Sequence, residues 1–364
     1  MGNTTDQEHG RKGGILPRLH FRYGPPDRLV TLQPAYFALV MATGIVAIAA
    51  DAHAVPWLPT VLFWLNAAQF IGLLLLTVAR LLRYPQAVLA DIRNPGRGIG
   101  FLTIVAAFAV LGTQLVTQMQ AFRLALLCCY IAAILLPFLF YGLFAAVLLQ
   151  RKRSKPPFFK SIGGGWLVSV VAIQSVATLI TLLPGVPLAL PPLWHFAALV
   201  LWLAGGALYL GLITLILWRY VFLPLTPEDL APTDWICMGA AAITALTGTL
   251  LAQHGALPTG LASFVTGWTL FYWSVATLWI PFLLCLGFWR YLIRGTPISY
   301  SPLYWGAVFP LGMYSICTWR LAILIDAPFL QALSGLFMVL AVAAWAATSL
   351  GFLGSRLCEH LDLS

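Results

Sequence analysis

The sequence predicts an all-α polytopic membrane protein, with ten transmembrane helices folded as five quasi-repeated helical hairpins around a central pore. Composition is the first sign. The chain of 364 residues is 61% hydrophobic and only 9% charged, with a mean hydropathy of +0.91; soluble domains carry about a quarter charged residues. Apolar runs long enough for a helix to cross ~30 Å of hydrocarbon recur along the chain, and the short alternating segments of a β-barrel do not occur. Lysine and arginine cluster on one set of loops, as the positive-inside rule requires of a multi-spanning protein.

Residues 1–30 read as a polar, basic cytoplasmic arm. They lack the apolar core and small-residue cleavage site of a signal peptide, and Asp6 stands where a myristoylation signal needs Ser or Thr. The spans follow at 33–52, 57–82, 99–117, 122–150, 163–183, 192–222, 234–253, 260–291, 301–324 and 329–354, which makes 31–355 one membrane domain and 356–364 a short cytoplasmic tail. Span two is followed by Arg80, Arg83, Arg93 and Arg97, and span four by Arg151, Lys152, Arg153, Lys155 and Lys160. Arg219 follows span six, Arg290 and Arg294 span eight, and Arg356 span ten. With five more in the N-terminal arm, 18 of 20 basic residues fall on one face and only Arg123 and Arg320 lie elsewhere. Both termini are therefore expected in the cytoplasm, with the chain in a cell (inner) membrane.

Odd and even spans differ. The even ones are long, 26–32 residues, and rich in Leu, Ala, Ile and Phe; the odd ones are shorter and hold Thr43, Gly44, Gly112, Thr113, Gln174, Thr178, Thr244, Thr247, Gly248 and Gly312. Each odd span has an aromatic near its start: Tyr36, Phe101, Trp166, Trp235 and Trp305, at intervals of 65, 65, 69 and 70 residues. Hairpins repeated in the same sense are related by an axis along the membrane normal, so the polar odd helices are expected to form an inner ring with the lipid-like even helices outside. Twelve residues beyond each aromatic stand Ile48, Thr113, Thr178, Thr247 and Cys317. These either line a pore with dipoles or supply the helix–helix hydrogen bonds common to Ser and Thr in membranes.

No Asp or Glu lies in the middle of any span. Cation pores use carboxylate rings and proton-coupled carriers use intramembrane acids or histidines, so a path without them, reached from a basic face, favours anions. Arg320, six residues before Asp326, either snorkels to the outer interface and pairs with that aspartate or attracts anions at an outer mouth. The six cysteines show no paired spacing and are expected to be buried thiols. Gly163-Gly164-Gly165 lacks the Lys-Ser/Thr of a phosphate loop. No metal site, cofactor, nucleic-acid role or paired nucleophile and base is indicated.

Two segments carry a resemblance. PAYFALVMATGIVAIAA (34–50) and WGAVFPLGMYS (305–315) resemble the signatures of the tellurite-resistance/dicarboxylate transporter family, which includes the TehA proteins, the plant slow-type anion channels, and the fungal malate permease and sulfite efflux pump. The resemblance implies a homotrimer with a pore in each protomer, lined by the five odd helices and plugged by a phenylalanine in a Phe-Pro context matching Phe309-Pro310. The expected function is passage of small anions such as chloride, nitrate, sulfite or a C4-dicarboxylate. A proton-coupled dicarboxylate (malate) carrier or sulfite exporter is the alternative.

Overall fold

A computed structural model describes residues 28–150, 161–183, 191–254, 257, 260–297 and 300–361. The N-terminal arm up to Asp27 and the basic residues Arg151, Lys152, Arg153, Lys155 and Lys160 lie outside them. The described residues form helices and turns without strands, and ten helices are long and apolar enough to cross a membrane. They are α1 (Ala38–Ala52), α2 (Leu58–Arg83), α3 (Leu102–Thr117), α4 (Phe122–Gln150), α5 (Val168–Leu182), α6 (Pro191–Phe222), α7 (Ile236–His254), α8 (Leu261–Phe288), α9 (Trp305–Leu324) and α10 (Leu330–Leu361). A short helix, Pro85–Arg93, follows α2. α10 continues past residue 354, so positions 356–361 of the expected tail are helical.

Every odd-numbered helix begins from a single 3₁₀ turn: Pro34–Phe37, Ile99–Phe101, Gly164–Leu167, Pro232–Trp235 and Pro302–Tyr304. Three of these turns carry proline in the first turn, where its missing N–H costs nothing and its fixed φ suits a helix start. The expected aromatics fall in or beside these turns, which gives all five helices a common start.

Burial separates the two sets. In the apolar windows of the odd spans 67–89% of residues are buried, against 17–39% in the even ones. A helix buried on all sides needs small residues to let its neighbours approach, and the Ala-, Gly- and Thr-rich odd helices provide them. The even helices instead expose Leu, Phe and Trp, as Trp64, Phe138, Phe144, Leu278 and Leu350 illustrate. Contacts close a circle: α1 packs on α3, α3 on α5, α5 on α7, α7 on α9, and α9 back on α1. Each odd helix also packs on the even helix that follows it.

Cys128, Cys129, Cys237 and Cys317 are buried as expected, but Cys285 is exposed on α8. Its helix belongs to the outer set, so an apolar position there meets lipid rather than protein. At the basic end, Arg80 is buried and held by Asp91 at 2.7 Å and by the Val30 carbonyl at 3.0 Å. Arg97 shares the same carboxylate at 2.9 Å.

Candidate functional site

Two cavities lie at opposite ends of the five-helix circle, and all five odd helices line both. The narrow one, about 40 Å³, reaches the end bearing Thr117, Leu182, Leu250 and Arg320. The wider one, about 310 Å³, opens among the 3₁₀ turns and the loop 228–234. On each helix the last residue of the wide cavity and the first of the narrow one are seven positions apart: Ala38 and Ile45, Thr103 and Val110, Val168 and Ser175, Ile236 and Ile243, Gly306 and Met313. Seven residues are two helical turns, so the cavities are separated by ~10 Å of packed side chains on the same helix faces.

The residues between them on that face, three positions after the wide-cavity residue, are Met41, Ala106, Val171, Gly239 and Phe309. All five are buried, and Phe309 is only 2% exposed. It is the bulkiest of the layer. Pro310 beside it packs on Gly239, where a Cβ would meet the Pro310 ring at 2.7 Å. Only glycine allows α7 and α9 to approach that closely. Pro310 also leaves the Gly306 carbonyl without its helical donor, and Gly306 lines the wide cavity.

The narrow cavity is built in layers. Next to the packed segment come Ile45, Val110, Ser175, Ile243 and Met313; one turn further come Ile48, Thr113, Thr178, Leu246 and Ile316; Arg320 stands at the far end. Most of its hydroxyls are engaged. Thr113 donates to the Ala109 carbonyl, Thr117 to that of Thr113, and Thr178 pairs with Thr247 at 2.8 Å. Ser175, 2% exposed, has a hydroxyl with no hydrogen-bond partner. Arg320 makes no ion pair among the described residues, including with Asp326.

The remaining polar and small residues face neighbouring helices. Thr43 accepts from Trp345 Nε1 at 3.0 Å on α10. Gly44 gives room to Val110, Asn66 and Gln114, the last two joined by a 2.6 Å hydrogen bond. Gly112 sits under Leu179 and Cys128, Gly248 under Thr269 and Trp202, and Gly312 against Ile45. Gln174 donates to the Trp202 carbonyl, Thr244 to that of Ala240, and Trp202 Nε1 to that of Thr244. Thr247 and Cys317 are buried between helices, with Leu246 and Ile316 in the lining instead. The aromatics used for alignment are offset by one residue in α7 and α9, and one residue turns a helix by ~100°.

The wide cavity is not free of carboxylates. The loop that connects α6 to α7 folds over the mouth and brings Glu228, Asp229 and Asp234 to its lining, beside Arg219. Arg219 donates to Asp229 at 2.8 Å and to the Ile162 carbonyl at 2.7 Å. Asp234 accepts from the amides of Gly164 at 3.0 Å and Ala231 at 2.9 Å. A Cβ at Gly164 would lie 2.5 Å from the Asp234 backbone, so the glycine run is a close-packing joint between the starts of α5 and α7. Glu228 is fully exposed, and hydrogen bonds from its own amide and from Thr226 hold its carboxyl below the ordinary range. No group of three or more metal-ligating side chains occurs among the described residues.

The sequence model of the voltage-dependent anion channel family matches residues 31–353. An uncharacterized membrane protein of Mycobacterium tuberculosis (strain H37Rv) is 30% identical over 148 residues, covering 40% of this chain and 75% of its own. Two uncharacterized transporters of Methanocaldococcus jannaschii are 25% and 24% identical over 301 and 309 residues, each alignment covering 79% of this chain and 83% of the relative.

Proposed function

The chain belongs to the voltage-dependent anion channel family, and from that premise we propose that it conducts small anions through the five-helix ring, with Phe309 as the gate. It is a multi-pass membrane protein of an anion channel or transporter type. The observation that carries the reading is the pair of cavities on one set of helix faces, separated on every helix by two turns, which on α9 contain Phe309. A bulky apolar side chain in so narrow a passage blocks it sterically and by dewetting.

The lining supports an anion rather than a cation. The narrow cavity holds no carboxylate; the Arg320 guanidinium there is a donor only, and the unpartnered Ser175 hydroxyl can donate to an anion. In this reading Arg320 draws anions to the narrow mouth, and Ser175 meets them deeper in the same cavity, against the Phe309 layer. Thr113 and Thr178 shape the passage with their methyl groups and oxygens, while Thr43, Gly44, Gly112, Gln174, Thr244, Thr247, Gly248 and Gly312 set the packing that holds the ring closed. The basic face is cytoplasmic, both termini lie there, residues 31–355 form one conducting unit, and three such chains assemble in the cell membrane.

Reconstitution in liposomes tests the function. Currents or fluxes measured across a panel of chloride, nitrate, sulfite and malate should be passive and independent of a pH gradient. Electrically silent, saturable malate uptake driven by that gradient would replace the channel with a proton-coupled carrier.

A further inference from the structure

A second feature lies on the outer surface, away from the ring axis. Two adjoining cavities of about 540 and 370 Å³ run between α4 and α6 and share Phe140, Tyr141 and Leu208. Tyr130 and Trp194, 6.0 Å apart edge to face, bring the two helices together at their far ends. The groove opens from there toward the basic end, with α5 as its floor and the loop 92–99 as its lip. From Ala133 to Leu148 it follows sixteen residues of α4, a rise of ~22 Å at 1.5 Å per residue. That spans one leaflet of a ~30 Å core plus part of the interface.

Its chemistry is one-sided. The walls are apolar, and the polar groups at the basic end are already engaged. Asn94 accepts from the amides of Gly96 and Arg97, Trp166 Nε1 donates to the Ser161 carbonyl, and Ser169 donates to that of Trp166. A ligand inside the groove therefore meets mainly hydrocarbon side chains. At the lip, Arg80 and Arg97 share the one carboxylate of Asp91, and the exposed Arg93, two residues along the chain from Asp91, has no ion pair among the described residues, so this end carries two positive charges in excess. A long apolar slot within the membrane, capped by net positive charge at one interface, matches a phospholipid with an anionic head group.

We propose that the α4–α6 groove binds an acyl chain of an anionic phospholipid from the leaflet on the basic face, with its head group on Arg93 and Arg97. The site is separate from the conduction path. The hydrocarbon chain fills space that would otherwise lack contacts, and the arginines select the head group.

Native mass spectrometry tests this on full-length protein extracted from bilayers of equal parts phosphatidylglycerol and phosphatidylcholine. Wild type should retain phosphatidylglycerol in preference. Arg93→Gln should reduce that preference about fivefold, the weight of one arginine at an anionic surface, while retention of phosphatidylcholine persists. Ala204→Trp and Leu215→Trp, which fill the groove from exposed positions, should displace both lipids from protein that elutes at the wild-type position in size exclusion. Equal lipid retention by wild type and both filled variants overturns the proposal. So does an unchanged lipid preference in Arg93→Gln, or a change of oligomeric mass on filling with lipid retention unaltered, which assigns the groove to a second copy of the chain.

Discussion

Replacing Phe309 with alanine addresses the proposed gate directly. The segment it occupies is two turns deep, ~10 Å between a cavity of about 40 Å³ and one of about 310 Å³. Removing a phenyl ring vacates on the order of 100 Å³, room for about three waters at ~30 Å³ each. The layer left behind, Met41, Ala106, Val171 and Gly239, holds nothing bulkier than a methionine. A wetted passage lowers the barrier to an anion, and each 1.4 kcal/mol is tenfold in rate, so the expected gain in anion flux is at least about tenfold. Phe309→Leu should fall between. Val308→Ala, one residue along and equally buried, changes volume on another helix face and should leave flux at the wild-type level. The assay is anion-driven fluorescence quenching or current in reconstituted liposomes, normalised to folded protein. Because a buried Phe→Ala change costs ~3–5 kcal/mol of stability in soluble cores, monodispersity and thermal unfolding must accompany it. A well-folded Phe309→Ala protein with wild-type flux refutes the gate, and so does Val308→Ala opening the path equally.

Other expectations follow from the same geometry. Arg320→Gln should reduce flux most at low salt, where the Debye length is long and a lone charge acts furthest; equal losses at low and high salt would count against anion recruitment. Ser175→Ala removes the unpartnered hydroxyl in the narrow cavity and should change relative permeabilities among anions while leaving thermal stability equal to or above wild type, since an unpaired buried polar group costs about 1–3 kcal/mol; Ser175→Thr keeps the donor and should stay closer to wild type in permeability. Asp91→Ala strands Arg80, 4% exposed, and should cost about 3–5 kcal/mol in unfolding experiments; pairing it with Arg80→Met should recover much of that loss. A single-variant cost near zero would show that the pair is solvated.

Much of this fold is written in local composition. Runs of twenty apolar residues, basic loops on one side and the contrast between Leu-rich and Ala/Gly/Thr-rich spans follow from the hydrocarbon's thickness and its intolerance of charge, so the ten spans and the inner and outer sets were legible along the chain. The motifs around Met41–Ile45 and Trp305–Ser315 were enough to suggest the family. What those cues do not carry is rotation. Thr113 and Thr178 line the narrow cavity while Thr247 and Gln174 face neighbouring helices, because a one-residue offset turns a side chain by ~100° and hydropathy is nearly uniform around a fully buried helix. The acids at the wide mouth were visible in sequence as a loop between spans, but only the folded path of 226–235 lays them over the ring. The α4–α6 groove is likewise a gap between two helices distant along the chain. Sequence by itself determined which segments cross the membrane and which sets of helices face lipid or protein, since each depends on a segment's own transfer energy. Only tertiary packing decided which residue of each helix meets the axis and where space remains, since both depend on how close neighbouring backbones can come.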